Sequence, residues 1–319
     1  MFRNVLFIGN GLNRCYYHDL AWNNLLKEIA SEYNISMNTQ NSFPMEFECI
    51  INQILEKEKV PSDKIYSDVK SKIVSHIRSV KELRNPLHER FMEIPVHAVI
   101  TSNYDYLLER AYNGFPCIDE CSTNRQKGHA ENKYSLNRYT TIKDRRFYHM
   151  HGELSKPDTL CLGSEHYAGY LARIRESIKR SDEENKINKD HILEIMRSET
   201  ERNTWVDLLF NKDIHIVGLG LSQCEIDLWW VITYRAFLYY TNKFDARNNL
   251  KNKITYYDIV SDKDKPSLEK EILKHNLTKQ HVVYTPFTLK GDNYEKSYQE
   301  ICNAIMDSVK NQTPYRNNL

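Results

Sequence analysis

A chain of 319 residues with 40% hydrophobic and 27% charged residues can bury a sizeable core and has the composition of a globular protein. Its 44 Lys and Arg balance 43 Asp and Glu, so we expect no direct nucleic-acid binding through bulk charge. No apolar run approaches the ~20 residues of a membrane span, and no signal-peptide pattern opens the chain. The seven scattered cysteines suit reduced thiols. We therefore expect a cytoplasmic protein without a membrane partner.

The first predicted strand, over residues 5–8, runs into Gly9-Asn10-Gly11-Leu12-Asn13. A helix with an apolar stripe follows, whose positions are Ala21, Trp22, Leu25, Leu26, Ile29 and Ala30. Strand, glycine-rich turn and helix in this order can hold a pyrophosphate, because glycines let backbone amides approach an anion. The alternative is a tight turn without a ligand. Arg14 replaces the third glycine of the dehydrogenase fingerprint, so this is not that motif.

Two stretches interrupt the predicted core with helices. Residues 35–95 contain two apolar stripes, Phe47, Ile50, Ile51 and Ile54, and then Val69, Ile73, Ile77 and Val80. The pattern of residues 164–211 predicts two charged helices. Ser164 caps the first, and the second carries Ile192, Ile195 and Met196. The charged run at 179–189 is interpreted as a solvated loop or helix face. We interpret both stretches as insertions, not as independent domains.

The next strand, over residues 96–100, ends in a polar segment, Thr101-Ser102-Asn103-Tyr104-Asp105. Leu107, Leu108 and Ala111 then follow at helical spacing. In open α/β sheets, ligands bind at the carboxyl ends of strands, where this segment lies. The alternative is a strand-to-helix turn in which Thr101, Ser102 or Asp105 only caps the helix.

Further strands are predicted over residues 147–150, 214–217, 254–260 and 281–284, and helices over 266–275 and 293–310, whereas 113–140 is polar and without a clear period. Alternating strands and helices predict a Rossmann-like α/β fold, a mostly parallel sheet with helices on both faces. We expect one domain over 1–319, with its core at 1–34, 96–163 and 212–311.

Three predicted strands end in small or polar loops that could share one crevice. Two are the segments at 9–13 and 101–105, and the third is Gly218-Leu219-Gly220-Leu221-Ser222. Asp258 lies near a fourth strand end, where an acid commonly accepts from ribose hydroxyls. The combination predicts a nucleotide site.

The order and spacing of these motifs, together with His151-Gly152, resemble the sirtuin-like family over residues ~2–285. The resemblance implies that Gly9, Gly11 and Asn13 hold the phosphates of NAD. It implies that Asn103 and Asp105 lie against the nicotinamide ribose, and that His151 is the catalytic base. Because the individual motifs are short, the resemblance depends on their combination.

The departures from the sirtuin pattern also carry information. Asn10 replaces the usual alanine and Asn13 the usual serine, and both can hydrogen-bond a phosphate. The four-cysteine zinc ribbon of deacetylase sirtuins is absent, since Cys117 and Cys121 have no second pair, and we expect no zinc. Helical insertions stand in its place. This combination is similar to the sirtuin-like domains of bacterial anti-phage defence systems, which implies hydrolysis of NAD.

The chemistry agrees with that implication. Nicotinamide departs from an oxocarbenium-like ribose, as in glycoside cleavage. The amide of Asn103 can fix the ribose or a water, Asp105 can accept from the carboxamide or support Asn103, and the imidazole of His151 can take a proton. A deacylase, an ADP-ribosyltransferase or a non-catalytic module that senses NAD or ADP-ribose are the alternatives.

Unrestrained NAD hydrolysis would poison the host, and the core and insertions occupy the whole sequence. We therefore expect activity to be gated by homo-oligomer assembly or by a separate partner, such as a defence-associated ATPase or a nucleic-acid sensor. His149 and His151 alternate along a predicted strand and could share a face, but no further ligand completes a metal site, so we favour a core role for His149. Trp229, Trp230 and the tyrosines at 234–240 are interpreted as core or subunit interface.

Overall fold

A seven-stranded sheet forms the centre of the fold. The computed structural model describes residues 3–17, 21–59, 61–78, 84–114, 133–178, 204–241, 251–261, 267–289 and 291–312. Its strands are β1 Asn4–Ile8, β2 Ala98–Thr101, β3 Tyr139–Ile142, β4 Arg145–His149, β5 Asp213–Val217, β6 Ile254–Ser261 and β7 Val283–Leu289. Their order is β3-β4-β2-β1-β5-β6-β7, and every neighbouring pair is parallel except β3 with β4. The predicted Rossmann-like, mostly parallel α/β fold is confirmed.

Helices connect the strands. They are α1 Gly11–Arg14, α2 Trp22–Glu32, α3 Phe43–Glu58, α4 Ser62–Arg78, α5 Pro86–Met92, α6 Leu107–Asn113, α7 Ser164–Ile178, α8 Trp205–Asn211, α9 Ile226–Thr241, α10 Leu268–Lys279 and α11 Tyr294–Gln312. None of them within the described ranges is long and apolar enough to cross a membrane.

Both faces of the sheet are buried, and the period of two along each strand decides which face a residue joins. In β1, Val5 and Phe7 pack with α7, α8 and α9, whereas Leu6 and Ile8 pack with α5 and α11. A parallel sheet is stable only with such double cover, since neither face can be left in water. This arrangement accounts for the continuous apolar run from Val5 to Ile8 in β1.

The helices between β1 and β2 have a hydrophobic cluster of their own. It joins α2, α3 and α4 through the predicted stripes, including Phe47, Ile54 and Ile73. The cluster also contains Tyr104 and Leu160, from the segments that follow β2 and β4. The helical cluster is therefore packed against the loops at the carboxyl end of the sheet. The division into core and insertions stays a prediction.

The structure corrects several predicted elements. Strand β3 lies partly in the stretch interpreted as irregular, and it pairs with β4 through a turn at Lys143, whose φ is 54°. Strand β7 begins later than predicted, because His281 has a left-handed φ of 58° that extended structure excludes. Helix α7 begins at Ser164 itself, and α10 is shifted toward its carboxyl end. Val80, the cysteines at 117 and 121, the run at 179–189 and the apolar positions 192, 195 and 196 lie outside the described residues.

The strand order reverses beside β1, because the chain builds β2 and β4 on one side of it and later β5, β6 and β7 on the other. In such sheets the crevice at the reversal is the usual ligand site. Ile8 pairs with both Thr101 and Val217, and Thr101 pairs with His149. Four strands therefore end on one row, and the loops that follow β1, β2, β4 and β5 emerge side by side.

The glycine-rich turns after β1 and β5 are packed directly against each other. The Gly9 amide donates to the Val217 carbonyl at 2.9 Å, and the Gly11 amide donates to the Gly218 carbonyl at 2.8 Å. A Cβ on Gly9 would lie 2.6 Å from both the Gly218 oxygen and the Leu219 Cα. Gly218 has a φ of 64°, which favours glycine. These glycines are needed for loop–loop contact, and the amides of Gly9 and Gly11 already have protein acceptors.

Gly9→Ala tests this contact. The methyl group would meet backbone atoms that cannot move without separating the two turns, so we expect a loss of about 1–3 kcal/mol in the free energy of unfolding, measured by urea denaturation. The matched control is Gly220→Ala, because a Cβ there meets nothing within 4 Å. That control should change stability by less than about 0.5 kcal/mol. Equal losses of stability in the two variants would contradict the role of Gly9 in the contact between the two turns.

Candidate active site

Asn103 and His151 lie just beyond the carboxyl ends of two neighbouring strands, β2 and β4. Thr101 and His149 are paired across β2 and β4, and each of the two candidate residues comes two positions after one of them. The Met150 amide also donates to the Thr101 carbonyl at 3.1 Å. Both side chains are buried. The sheet therefore carries these residues, far apart in sequence, out of the same edge.

Asn103 is held by the ends of β1 and β2. Its amide donates to the Thr101 hydroxyl at 3.0 Å, and that hydroxyl donates to the Ile8 carbonyl at 2.8 Å. Its side-chain Nδ2 lies 3.5 Å from the Gly9 carbonyl. The side-chain Oδ1 is buried and has no hydrogen-bond partner within the described residues. A buried acceptor without a donor is costly, and it suits a ligand that brings one.

A buried ion pair lies beneath Asn103. The His149 Nδ1 donates to the Asn103 carbonyl at 2.8 Å, and its Nε2 lies 2.6 Å from the Glu109 carboxylate of α6. Burial disfavours the charged imidazole, but the Glu109 carboxylate outweighs burial and raises the pKa of His149 to about 9. With both ring nitrogens donating, His149 is an imidazolium. It is the buried core residue that the sequence predicted, and it also fixes the backbone of Asn103.

His151 contacts the opposite side of the sheet from His149. Its Nε2 donates to Asp227 of α9 at 2.8 Å, while His149 contacts α6. The expectation that the two histidines share a face is wrong, because β4 ends at His149 and the chain turns before Gly152, whose φ is 105°. No group of three metal-ligating side chains occurs among the described residues.

Asp105 and Asn13 join the loops after β1 and β2. The Asn13 Nδ2 donates to Asp105 at 2.9 Å and to the Asn10 Oδ1 at 3.0 Å. The other Asp105 oxygen accepts from the Leu107 amide at 3.0 Å, at the start of α6. Asp105 thus both caps a helix and supports the loop of Asn13, whose Oδ1 is buried and has no partner in the described part of the chain. The catalytic role of Asp105 stays a prediction.

The remaining predicted residues differ in how closely they approach this edge. Ser102 is buried beside Asn103, whereas Gly220 and Ser222 are exposed and Ser222 contacts Cys224. Asp258 is level with Gly218, because Val217 pairs with Tyr257. Both of its oxygens are engaged, by the Lys270 ammonium at 3.0 Å and the Tyr284 hydroxyl at 2.6 Å. A ribose at Asp258 would share these carboxylate oxygens with Lys270 and Tyr284.

Sequence reasoning missed two acids at the start of α9. Asp227 is fully buried against His151, and its Oδ1 has no partner within the described ranges. Glu225 has a buried Oε2 that likewise lacks one. Burial raises the pKa of Glu225 to about 7, with the nearby imidazole of His151 opposing the rise. Acids in the first turn of a helix usually complement its dipole, so the sequence alone gives no reason to place them in a site.

Residues 97–231 match the SIR2-like domain family. The match covers less than half of the chain. The matched segment begins just before β2 and ends within α9, so it contains Asn103, His151 and Asp227. The predicted resemblance to the sirtuin-like family is confirmed.

The chain is also similar to the NAD(+) hydrolase ThsA of Bacillus cereus (strain MSX-D12), with 27% identity over 180 residues. The alignment covers 55% of this chain and 33% of that protein, so the chain spans about a third of the length of the curated relative it matches. Domain and relative together support a sirtuin-like, NAD-related function.

Glu109→Gln tests the ion pair beneath Asn103, within the segment that matches the SIR2-like domain family. Removing the charge from a buried pair should lower the free energy of unfolding by about 3–5 kcal/mol in urea denaturation at pH 6. The pKa of His149 is raised on folding, so its stabilisation is present below its ordinary pKa and is lost as the pH rises through about 9. The difference between wild type and variant should therefore shrink by pH 9.5.

The matched control is Glu89→Gln, which breaks the exposed pair with Arg84. It should lower the free energy of unfolding much less than Glu109→Gln does, because solvent screens an exposed pair. A Glu109→Gln deficit that is the same at pH 6 and pH 9.5 would contradict the charged state of His149.

Glu225→Gln tests the cost of burying the Glu225 carboxyl, whose Oε2 has no donor within the described residues. A carboxyl whose pKa is raised on folding destabilises the protein above its unfolded pKa, and increasingly so until the pH passes about 7. The variant should be more stable than wild type, and its advantage should grow between pH 5 and pH 8 by up to about 2 kcal/mol in urea denaturation. A variant that is less stable at pH 8 would show that Glu225 has a stabilising partner.

Proposed function

We propose that the chain hydrolyses NAD+ at the bond between nicotinamide and ribose, releasing nicotinamide and ADP-ribose. The observation that carries the proposal is the placement of Asn103 and His151, both buried, two positions beyond one row of paired residues. The SIR2-like domain and the ThsA match support a nucleotide of this class. The two residues also follow strands on one side of the point where the strand order reverses, which is the usual ligand site in such sheets.

The polar atoms at this edge suit NAD+ as a substrate. Asn13 Oδ1, Asn103 Oδ1, Glu225 Oε2 and Asp227 Oδ1 are buried acceptors that lack donors within the described residues. The ribose hydroxyls and the carboxamide of NAD+ are donors. Hydrogen bonds from these donors to the buried acceptors would remove the free-energy cost of leaving the acceptors unpaired. This favours binding of a ligand that is rich in hydroxyl groups.

In the proposed reaction the bond between C1′ and the nicotinamide nitrogen breaks, and its electron pair goes to nicotinamide. Positive charge develops on the ribose, which the Asn103 oxygen can stabilise as a negative dipole end. A water then attacks C1′ and transfers a proton to the His151 imidazole, which later releases it to solvent. Asp105 acts indirectly by supporting the loop of Asn13.

The second part of the proposal concerns biological role and control. The absence of a sirtuin zinc ribbon from the sequence pattern, together with the helical insertions, favours an NAD-depleting effector of bacterial anti-phage defence. Because such an activity is toxic, we propose that it is switched on by self-assembly or by a separate activating protein. Full turnover by dilute purified protein without any addition would overturn this gating.

The decisive measurement is the release of nicotinamide from NAD+ by the purified full chain, which chromatography follows over a range of protein concentrations. The same release is then measured with lysates of phage-challenged cells added to the purified protein. We expect release by wild type and a loss of at least about 100-fold in Asn103→Ala and His151→Ala. His275→Ala, on an exposed position of α10, is the control that should retain wild-type release.

Three outcomes would replace the proposal. NAD+ consumption that requires an acetylated peptide would indicate a deacylase, and transfer of label from NAD+ to protein an ADP-ribosyltransferase. A rise in melting temperature with NAD+ and no nicotinamide under any of these conditions would indicate a non-catalytic sensor.

A further inference from the structure

The His151–Asp227 hydrogen bond connects loops that are not neighbours in the sheet. His151 follows β4 and Asp227 follows β5, and the strands β2 and β1 lie between them. At about 4.8 Å per strand, β4 and β5 are about 14 Å apart. The bond therefore runs over the carboxyl ends of the two central strands, where the turns at Gly9 and Asn103 emerge.

We propose that Asp227 is the positioning residue of His151, fixing the tautomer and the ring orientation that the proposed hydrolysis needs. The inference rests on the proposed function, and it deepens it by adding a residue from α9 to the site. Because Nε2 donates to Asp227 at 2.8 Å, Nδ1 is the nitrogen that can exchange a proton with water or a ribose hydroxyl. A carboxylate on the far nitrogen also stabilises the imidazolium that forms when the base accepts its proton.

Other contacts hold the imidazole in the same orientation. The Tyr167 and Tyr170 rings of α7 meet it edge-on, with centroids at 5.1 Å and 5.9 Å. The His151 carbonyl accepts from the Cys161 amide at 2.8 Å, which fixes the backbone. A ring enclosed by aromatic edges has one open hydrogen-bond direction apart from Asp227. Such support is what a catalytic imidazole requires, since small misplacements reduce rates strongly.

The charged and titratable groups that face His151 come from three segments. Asp227 and Glu225 lie at the start of α9, Cys161 precedes α7, and Tyr167 and Tyr170 lie on α7. Burial lowers the pKa of His151, but Asp227, with a smaller contribution from Glu225, outweighs burial and raises it above its ordinary value. Removing the charge at residue 227 should therefore make the imidazole a weaker base.

The test is Asp227→Asn, which keeps a hydrogen-bond acceptor and removes the charge. We expect kcat for nicotinamide release to fall about 100-fold with KM changed less than about twofold. We also expect the acidic limb of the pH–rate profile to move to lower pH. Asp213→Asn is the matched control, because Asp213 is a buried acid on β5 that pairs with Arg3 at the opposite edge of the sheet. It should leave kcat and the profile unchanged.

A second measurement does not depend on turnover. The titration of His151 can be followed by NMR of isotope-labelled histidine, with its signal assigned by its loss in His151→Gln. Its pKa should fall in Asp227→Asn and stay unchanged in Asp213→Asn. If Asp227→Asn does not fold, Asp227→Glu retains the charge at a displaced position. It should lower kcat while the pH limb stays in place.

The outcomes separate the two proposals. An Asp227→Asn protein with wild-type kcat and an unshifted His151 titration would overturn the positioning role, while the proposed hydrolysis would stand. Absence of NAD+ hydrolysis in wild type, combined with a shifted titration, would overturn the proposed function and leave Asp227 as the residue that sets the state of His151. An altered melting temperature with unchanged titration would make Asp227 merely structural, which would also overturn the inference.

Discussion

The architecture depends on one close contact, the packing of the turn after β1 against the turn after β5. Two hydrogen bonds from Gly9 and Gly11 join these turns, and no side chain fits between them. This contact is made where the strand order reverses, and it brings β5 against β1 up to their last paired residues. The loops of β2 and β4 then lie on one side of the contact and the start of α9 on the other. The candidate site is the space that this arrangement leaves between them.

The buried polar side chains near this space differ in whether their hydrogen-bonding atoms have partners. The imidazole of His149, which holds the backbone, has a partner at each ring nitrogen, the Asn103 carbonyl and Glu109. Groups that face the crevice keep an acceptor without a donor, as Asp227 and Asn103 do within the described residues. A folded protein retains such destabilising atoms mainly where a ligand satisfies them. Several buried acceptors without donors thus lie at the edge of the sheet where the strand order reverses.

Sequence patterns predicted the parallel core because its strands are apolar runs between helices, and short motifs placed Asn103 and His151 at strand ends. The edge strand β3 was missed because Tyr139–Ile142 is short and follows a polar stretch. Asp227 could not be found because its contact with His151 joins positions 76 residues apart in the sequence. The two residues meet only because the loops after β4 and β5 approach each other across the ends of β2 and β1. The glycines were associated with phosphate binding, yet in the structure their amides bond to β5 and its following turn. Local sequence patterns indicate strands and helices, whereas the contacts between loops depend on the order of the strands in the sheet.

The helical cluster of α2, α3 and α4 has a consequence for how the protein would respond to a ligand. Its apolar interior includes Tyr104 and Leu160, which flank the loops of Asn103 and His151. Tyr104 also donates to the Cys161 carbonyl at 2.5 Å, so the two loops and the cluster share one set of contacts. A ligand that restricts either loop would therefore also restrict the helices packed against Tyr104 and Leu160. Binding at the edge of the sheet would then reach this layer of helices through these two side chains.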